Sequence, residues 1–111
     1  MKWSVSFLFL LFLVTPAIGG DMQKGTTHTY AYFYSMEGTP EGIKQAVPAH
    51  VEYWKSLKLD GYYGGPFGDN SGGMVVFKAE SAEKAKNYAN GDPFVIHNLV
   101  KDSWVKPWII H

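Results

Sequence analysis

The sequence contains no cysteine and no arginine among its 111 residues. Without cysteine, disulfide bonds, thiolate metal sites and a cysteine nucleophile are all excluded. All ten positively charged side chains are lysine, so no bidentate guanidinium clamp on a phosphate or carboxylate can form. Ten acidic residues balance these lysines, and a chain of nearly zero net charge is poorly suited to bind nucleic acid.

The sequence also lacks the loops and nucleophiles of several enzyme classes. No serine stands in a Gly-x-Ser-x-Gly context. The glycine-rich residues 64–73 neither follow the dinucleotide-binding spacing nor open a helix. His28, His97 and His111 have no metal-ligand spacing with His50 or with one another. We therefore predict neither a cofactor nor a metal.

The N-terminal residues have the composition of a secretory signal peptide. Lys2 precedes an almost uninterrupted apolar run over residues 5–14, and small residues follow up to Gly19. The run is short for a bilayer span, and no cysteine follows it for a lipoprotein anchor. We predict a signal peptide over residues 1–19 and one domain over residues 20–111, which is periplasmic or secreted and has no stable membrane association after cleavage. An uncleaved membrane anchor is the alternative.

Alternating side chains predict a β-strand over residues 27–36. Tyr30, Tyr32 and Tyr34 fall on one face of this strand. Three tyrosines in register are too apolar to lie in water and too polar for a dry core. We therefore predict that this tyrosine face forms a subunit interface or a ligand pocket.

The remaining segments predict an α+β fold. Their patterns follow the order strand, helix, strand, strand, helix, strand. That order is typical of the ferredoxin-like split β-α-β sandwich, in which both helices pack on one face of an antiparallel sheet. The other sheet face lacks cover, which predicts a homodimer that stacks two sheets through the tyrosine face; a monomer with a polar outer face is the alternative. The predicted ranges are 27–36, 61–67, 74–79 and 103–110 for the strands and 48–59 and 82–90 for the helices.

The first predicted helix carries a histidine toward the interior. Pro48 suits the first helical position, after a short helical lead-in over residues 41–47. His50, Trp54 and Leu57 then follow at spacings i, i+4 and i+7, which places all three on one inward face. From spacing alone, a hydrogen-bonded structural histidine is the commoner interpretation.

Two further segments are candidates for a site. Gly64, Gly65 and Pro66 form a turn whose bare backbone lets a ligand approach closely and whose N–H groups could hold an oxyanion. Asp92 precedes Pro93 and is placed to cap a short helical turn. Taken alone, a turn and a cap are the simpler interpretations of these two segments.

Five short motifs together resemble the YCII-related domain. They occur in the order expected for that family and extend from residue 27 to the end of the chain. The resemblance implies a ferredoxin-like, dimeric α+β barrel akin to muconolactone isomerase, with a His–Asp pair as its active site. By motif, that pair is His50 of PAH and Asp92 of DPF. The five motifs are VPAH (47–50), GYYGGPFG (61–68), ESAEKA (80–85), NGDPF (90–94) and VKPW (105–108).

A histidine oriented by a carboxylate indicates proton-transfer chemistry. The pKa of an imidazole in water is about 6.5, so a neutral imidazole can act as a general base near pH 7. We therefore predict a small exported enzyme that isomerises, or eliminates a leaving group from, a small cyclic or aromatic compound, with His50 and Asp92 as catalytic residues. Substrate contacts are predicted for a further set of residues: Tyr32, Trp54, Gly64, Gly65, Pro66 and Phe94.

Two alternative functions stay open at this point. A non-catalytic dimeric module that binds a small molecule would have the same fold and the same pocket. The resemblance also admits a haem- or oxygen-linked activity, which other dimeric α+β barrels have.

Overall fold

The computed structural model describes residues 26–111. The predicted signal peptide over residues 1–19 lies outside the described residues. Within residues 26–111, no helix is both long enough and apolar enough to cross a bilayer. These residues form a four-stranded antiparallel sheet with helices packed on one face.

Seven elements make up the described part of the chain. In chain order they are β1 (His28–Met36), α1 (Pro40–Ser56), β2 (Tyr63–Pro66), β3 (Gly72–Ala79), α2 (Ala82–Asn90), α3 (Pro93–Ile96) and β4 (Val100–Pro107). The order across the sheet is β2-β3-β1-β4, and each neighbouring pair is antiparallel. The predicted α+β, ferredoxin-like fold is therefore confirmed.

Helix α1 begins at Pro40 rather than at Pro48. Thr39 caps it, since its hydroxyl accepts a hydrogen bond of 3.0 Å from the N–H of Gly42. Pro48 lies inside the helix but is exposed, so water can satisfy the carbonyl group that loses its N–H partner there. The predicted lead-in and main helix are thus one continuous helix.

Several element limits are shifted from the predicted ones. Helix α1 ends at Ser56 rather than at Leu59, because Lys58 already adopts a left-handed φ of 51°. Strand β4 occupies Val100–Pro107 instead of residues 103–110, and Pro107 lies on an edge strand as predicted.

Helix α2 spans Ala82–Asn90 as predicted. Its N-cap is Ser81, whose hydroxyl accepts a hydrogen bond of 3.1 Å from the N–H of Lys84. Ala85 and Ala89 lie on its buried face, as the predicted apolar stripe requires.

The tyrosine face of β1 packs beneath the helices. Tyr30, Tyr32 and Tyr34 are 5%, 1% and 2% exposed, and they share a core with Trp54 of α1 and Phe77 of β3. The prediction that this face is uncovered is therefore wrong. Alternation separates the two faces of a strand, but it does not say which face the helices cover.

The opposite face of the sheet is also apolar, and no helix covers it within residues 26–111. Phe33 of β1 stacks on Trp104 of β4 with 5.3 Å between the ring centroids, and Phe67 lies 6.0 Å from Phe33. We call Phe33, Phe67 and Trp104 the aromatic face. A sheet-stacking partner would meet this surface instead of the tyrosines.

Candidate active site

Asp92 lies between α2 and α3 and is completely buried. Its carboxylate caps α3 by accepting a hydrogen bond of 2.9 Å from the N–H of Phe94. The same carboxylate accepts a hydrogen bond of 2.9 Å from the indole N–H of Trp54 and one of 2.8 Å from Nδ1 of His50. A buried carboxylate needs such donors to offset the loss of water. Asp92 is therefore both a helix cap and the partner of His50.

The His50 imidazole is held in one orientation. A carboxylate only accepts hydrogen bonds, so Nδ1 carries the proton and Nε2 of the neutral ring presents a lone pair. The Phe94 ring stacks on the imidazole with 4.0 Å between the centroids and an interplanar angle of 9°. His50 is 9% exposed. The hydrogen bond to Asp92 therefore fixes the orientation of the imidazole, and the Phe94 ring covers one of its faces.

Tyr34 lies next to the free ring nitrogen. Its hydroxyl oxygen is 3.5 Å from Nε2 of His50, which is long for a hydrogen bond. The two rings meet edge to face at 64°. The Tyr34 side chain is 2% exposed, so it is a buried neighbour of the imidazole rather than a mobile surface group.

A cavity of about 560 Å³ lies beside this group. Tyr34 and Phe94, which both contact the His50 ring, form part of its wall. Ile43 and Val47 line it from the preceding turns of α1, and with His50 they follow the i, i+4, i+7 spacing of one helical face. We call this space the α1 cavity. Its lining residues are Tyr34, Met36, Pro40, Ile43, Lys44, Val47, Pro66, Asn70, Gly72 and Phe94.

Comparison with known families identifies the domain. The family model of the YCII-related domain matches residues 28–109. The chain belongs to the YCII-related domain family. The resemblance predicted from the five sequence motifs is therefore confirmed. No match was found among curated proteins.

A solved structure shares the fold of this YCII domain. It is 5-chloro-2-hydroxyhydroquinone dehydrochlorinase from Burkholderia phenoliruptrix AC1100, in complex with 2,5-dihydroxybenzoquinone. The TM-score is 0.62 at 20% sequence identity, and the match covers 73% of this chain and 93% of the dehydrochlorinase chain. At this identity the likeness establishes a common fold.

Four tyrosines of the YCII domain have a pKa that is raised by burial and, secondarily, by the charge of Asp92. Burial raises the pKa of Tyr34 to about 12, and the charges of Asp92 and then Tyr62 add to the rise. Burial, followed by Asp92, likewise raises the pKa of Tyr32, Tyr53 and Tyr62. Near neutral pH these phenols therefore keep their protons, and each neutral hydroxyl can both donate and accept a hydrogen bond.

The predicted site residues fall into three groups in the YCII domain. The members of the first group contact one another around the Asp92 carboxylate: His50, Asp92, Trp54 and Phe94. Trp54 is 1% exposed and binds Asp92, so it orients the carboxylate from within the core. Pro66 forms the second group, since it lines the α1 cavity without touching the pair.

The third group of predicted residues does not line the α1 cavity. Gly64 and Gly65 are exposed residues of edge strand β2, where they pair with β3. Tyr32 lines a different cavity of about 430 Å³ beside β4, and its buried hydroxyl has no hydrogen-bond partner within the described residues. Gly64, Gly65 and Tyr32 are therefore not part of the wall of the α1 cavity.

Sequence reasoning misses most of the wall of the α1 cavity. A helix that starts at Pro48 leaves Ile43, Lys44 and Val47 outside the face that carries His50. The signal is nevertheless present, because Ile43 and Val47 continue the His50 stripe toward the N-terminus once Thr39 is taken as the cap.

The side chains that could bind a metal do not cluster within residues 26–111 of the YCII domain. Within residues 26–111, no three His, Asp or Glu side chains lie together in a way that could hold a metal ion. The chemistry available at the α1 cavity from these residues is therefore that of imidazole, carboxylate, phenol and lysine groups.

Proposed function

We propose that this YCII domain is an acid/base enzyme that isomerises, or eliminates a leaving group from, a small cyclic or aromatic compound. The observation that carries the proposal is the 2.8 Å contact between Nδ1 of His50 and the buried Asp92 carboxylate. In the neutral imidazole this contact directs the Nε2 lone pair toward Tyr34, a residue of the α1 cavity wall. Nε2 is the base, and Asp92 stabilises the imidazolium ion that forms when it takes a proton.

Both reaction types use the same proton movement. His50 removes a proton from the ligand, and the electron pair of the broken bond stays on the ligand. In an isomerisation the imidazolium returns that proton at another atom; in an elimination a leaving group departs with its own electron pair. The buried Asp92 carboxylate stabilises the imidazolium ion from the moment it takes the proton until it gives the proton up, since charges interact more strongly away from water.

The α1 cavity suits a ring compound. Its volume of about 560 Å³ lies within the usual range for small-molecule sites. Most of its wall is apolar or aromatic, and Lys44 and Asn70 supply polar groups. The fold neighbour acts on a chlorinated hydroxyhydroquinone, so hydroxylated rings are the first compounds to test.

We expect the purified protein to exchange a ligand proton with solvent. Hydroquinones, chlorinated hydroquinones and small unsaturated lactones would be incubated with it in D₂O and examined by mass spectrometry. Deuterium uptake at carbon, or loss of chloride, at a rate that depends on His50 supports the proposal. Hydroxyl hydrogens exchange with solvent unaided, whereas exchange at carbon detects proton removal even without net turnover. Compounds that bind in calorimetry but neither exchange nor react would instead identify a non-catalytic binding module.

We also propose that two copies of the domain associate through the aromatic face. Phe33 and Trp104 stack on each other on the sheet surface that no helix covers within residues 26–111, and Trp104 is still 38% exposed. A large aromatic cluster on an open sheet favours burial against an equal surface. This proposed interface replaces the one predicted through the tyrosines.

Replacing Trp104 with glutamate is expected to dissociate this dimer. The change removes a central aromatic contact and places a charge in an apolar interface, which weakens association by about 30-fold or more. Light scattering at micromolar concentration measures the mass of each variant. Val51→Glu, on an exposed position of α1, is the matched control and should leave the mass unchanged. A monomeric wild-type protein, or a dimeric Trp104→Glu protein, would contradict this interface.

The proposed location of the activity is the periplasm or the exterior of the cell. It rests on the charged, apolar and small residues that precede Gly20 in the sequence.

A further inference from the structure

Tyr34 connects His50 to the α1 cavity. The Tyr34 side chain lines the cavity, and its hydroxyl is 3.5 Å from Nε2 of His50. His50 itself is 9% exposed, and Phe94 covers one face of its ring. Among the described residues, Tyr34 provides the only side-chain hydroxyl within 3.5 Å of Nε2.

The sheet leaves room for the Tyr34 hydroxyl at one glycine. Gly73 of β3 lies directly opposite Tyr34 in the antiparallel pair. A Cβ atom built on Gly73 would collide with the Tyr34 hydroxyl and with the carbonyl oxygen of Gly65. The phenol therefore lies across a backbone position that tolerates only a hydrogen atom. The absence of a side chain at Gly73 therefore leaves a defined position for the Tyr34 hydroxyl.

We propose that the Tyr34 hydroxyl relays a proton between a ring hydroxyl of the bound ligand and Nε2 of His50, an inference that rests on the proposed function. As the ligand O–H bond breaks, its proton joins the Tyr34 oxygen, and the original Tyr34 proton passes to Nε2. The electron pair stays on the ligand oxygen, Tyr34 ends as a neutral phenol, and the new imidazolium is paired with Asp92. The return step reverses these transfers.

The protonation state of Tyr34 agrees with a relay. Burial raises the pKa of its phenol to about 12, so the group is neutral at physiological pH and has a proton to pass on. A distance of 3.5 Å is longer than a working hydrogen bond, but such contacts often shorten when a ligand fills the site. The relay also defines the ligand as a ring with an ionisable hydroxyl group.

The test compares Tyr34→Phe with Tyr30→Phe. Both changes delete one phenol oxygen from the same face of β1, but Tyr30 packs on Phe77 and does not line the α1 cavity. The first measurement is the ¹⁵N resonance of Nε2 in histidine-labelled protein. We expect Tyr34→Phe to move it toward the value of an imine nitrogen without a hydrogen bond, whereas Tyr30→Phe leaves it at the wild-type value.

The second measurement uses 4-nitrophenol, whose absorbance reports its ionisation when bound. If Tyr34 bridges the probe and His50, the bound phenol has a lower pKa in wild type and in Tyr30→Phe than in Tyr34→Phe. We expect a difference of at least about one pKa unit, which corresponds to tenfold in the ionisation equilibrium.

These two measurements separate the relay from the proposed catalysis. If Tyr34→Phe matches wild type in both, the relay is overturned, even if the wild-type protein reacts with ring compounds. If Tyr34→Phe alone changes both but no compound exchanges or reacts with the wild type, the relay stands and the proposed catalysis fails. Where the wild type is active, Tyr34→Phe should lower kcat by about 100-fold with KM nearly unchanged.

Discussion

His50→Asn is expected to lower proton abstraction by about 10²- to 10⁴-fold while the protein still folds. The asparagine amide nitrogen falls near the position of the histidine Nδ1 atom, so it can still donate to Asp92. Nothing replaces Nε2, and the base is lost. The melting temperature should fall by less than about 10 °C, because the main loss is the ring stack on Phe94.

Deuterium exchange and a thermal melt measure the two effects of this substitution separately. His28→Asn is the matched control, since His28 is exposed at the start of β1 and should change neither value. His50→Gln should melt lower than His50→Asn, because the glutamine amide lies nearer the Nε2 position and leaves Asp92 one donor short. An active His50→Asn protein would exclude His50 as the base. Loss of cooperative melting would make its role structural.

Asp92→Ala is expected to cost about 3–9 kcal/mol of folding stability as well as activity. The carboxylate accepts from three buried donors, and a buried donor left without a partner costs about 1–3 kcal/mol. These donors are Nδ1 of His50, Nε1 of Trp54 and the N–H of Phe94. Since small domains are stable by about 5–15 kcal/mol, the variant should be partly unfolded at 37 °C.

Asp92→Asn separates stability from chemistry at this position. One side-chain oxygen can still accept a hydrogen bond, but the amide group opposes a donor, so we expect a smaller loss of about 1–3 kcal/mol. Activity should still fall on the order of 10³-fold, because the imidazolium ion loses its counter-charge. Urea unfolding and deuterium exchange measure both quantities. Asp102→Ala is the matched control: Asp102 is exposed on β4, so this variant should have the stability and the activity of wild type. An Asp92→Ala protein as stable as wild type would refute this account of the carboxylate.

Local signals in the sequence were sufficient for much of the fold. Ser81 and the alanine stripe predict α2 with its observed limits, because caps and helical periodicity depend on neighbouring residues only. Alternation predicts β1, and the order of the elements predicts the ferredoxin-like sheet. The His–Asp assignment came from the family motifs, since no local rule relates residues 42 positions apart.

Two errors show where local signals fail. Pro48 looks like a helix start but lies inside α1, since an exposed proline can be tolerated when Thr39 and Pro40 already supply the cap and the first turn. The tyrosine face was predicted to form a subunit interface or a ligand pocket, but it lies in the core, and Tyr34 also lines the α1 cavity. A strand with two apolar faces gives no local sign of which face the helices cover.

By itself, the sequence determined the class of the domain, its family and the chemical groups available: imidazole, carboxylate, phenol and lysine, without thiol or guanidinium. Only the tertiary structure decided that Asp92 accepts hydrogen bonds from three donors and that the Tyr34 hydroxyl lies 3.5 Å from Nε2 of His50. It also decided that residues of α1 and β1 line a cavity beside them. The reason is physical. Composition and periodicity act over a few residues, whereas a buried hydrogen-bond network and a cavity depend on how distant elements pack.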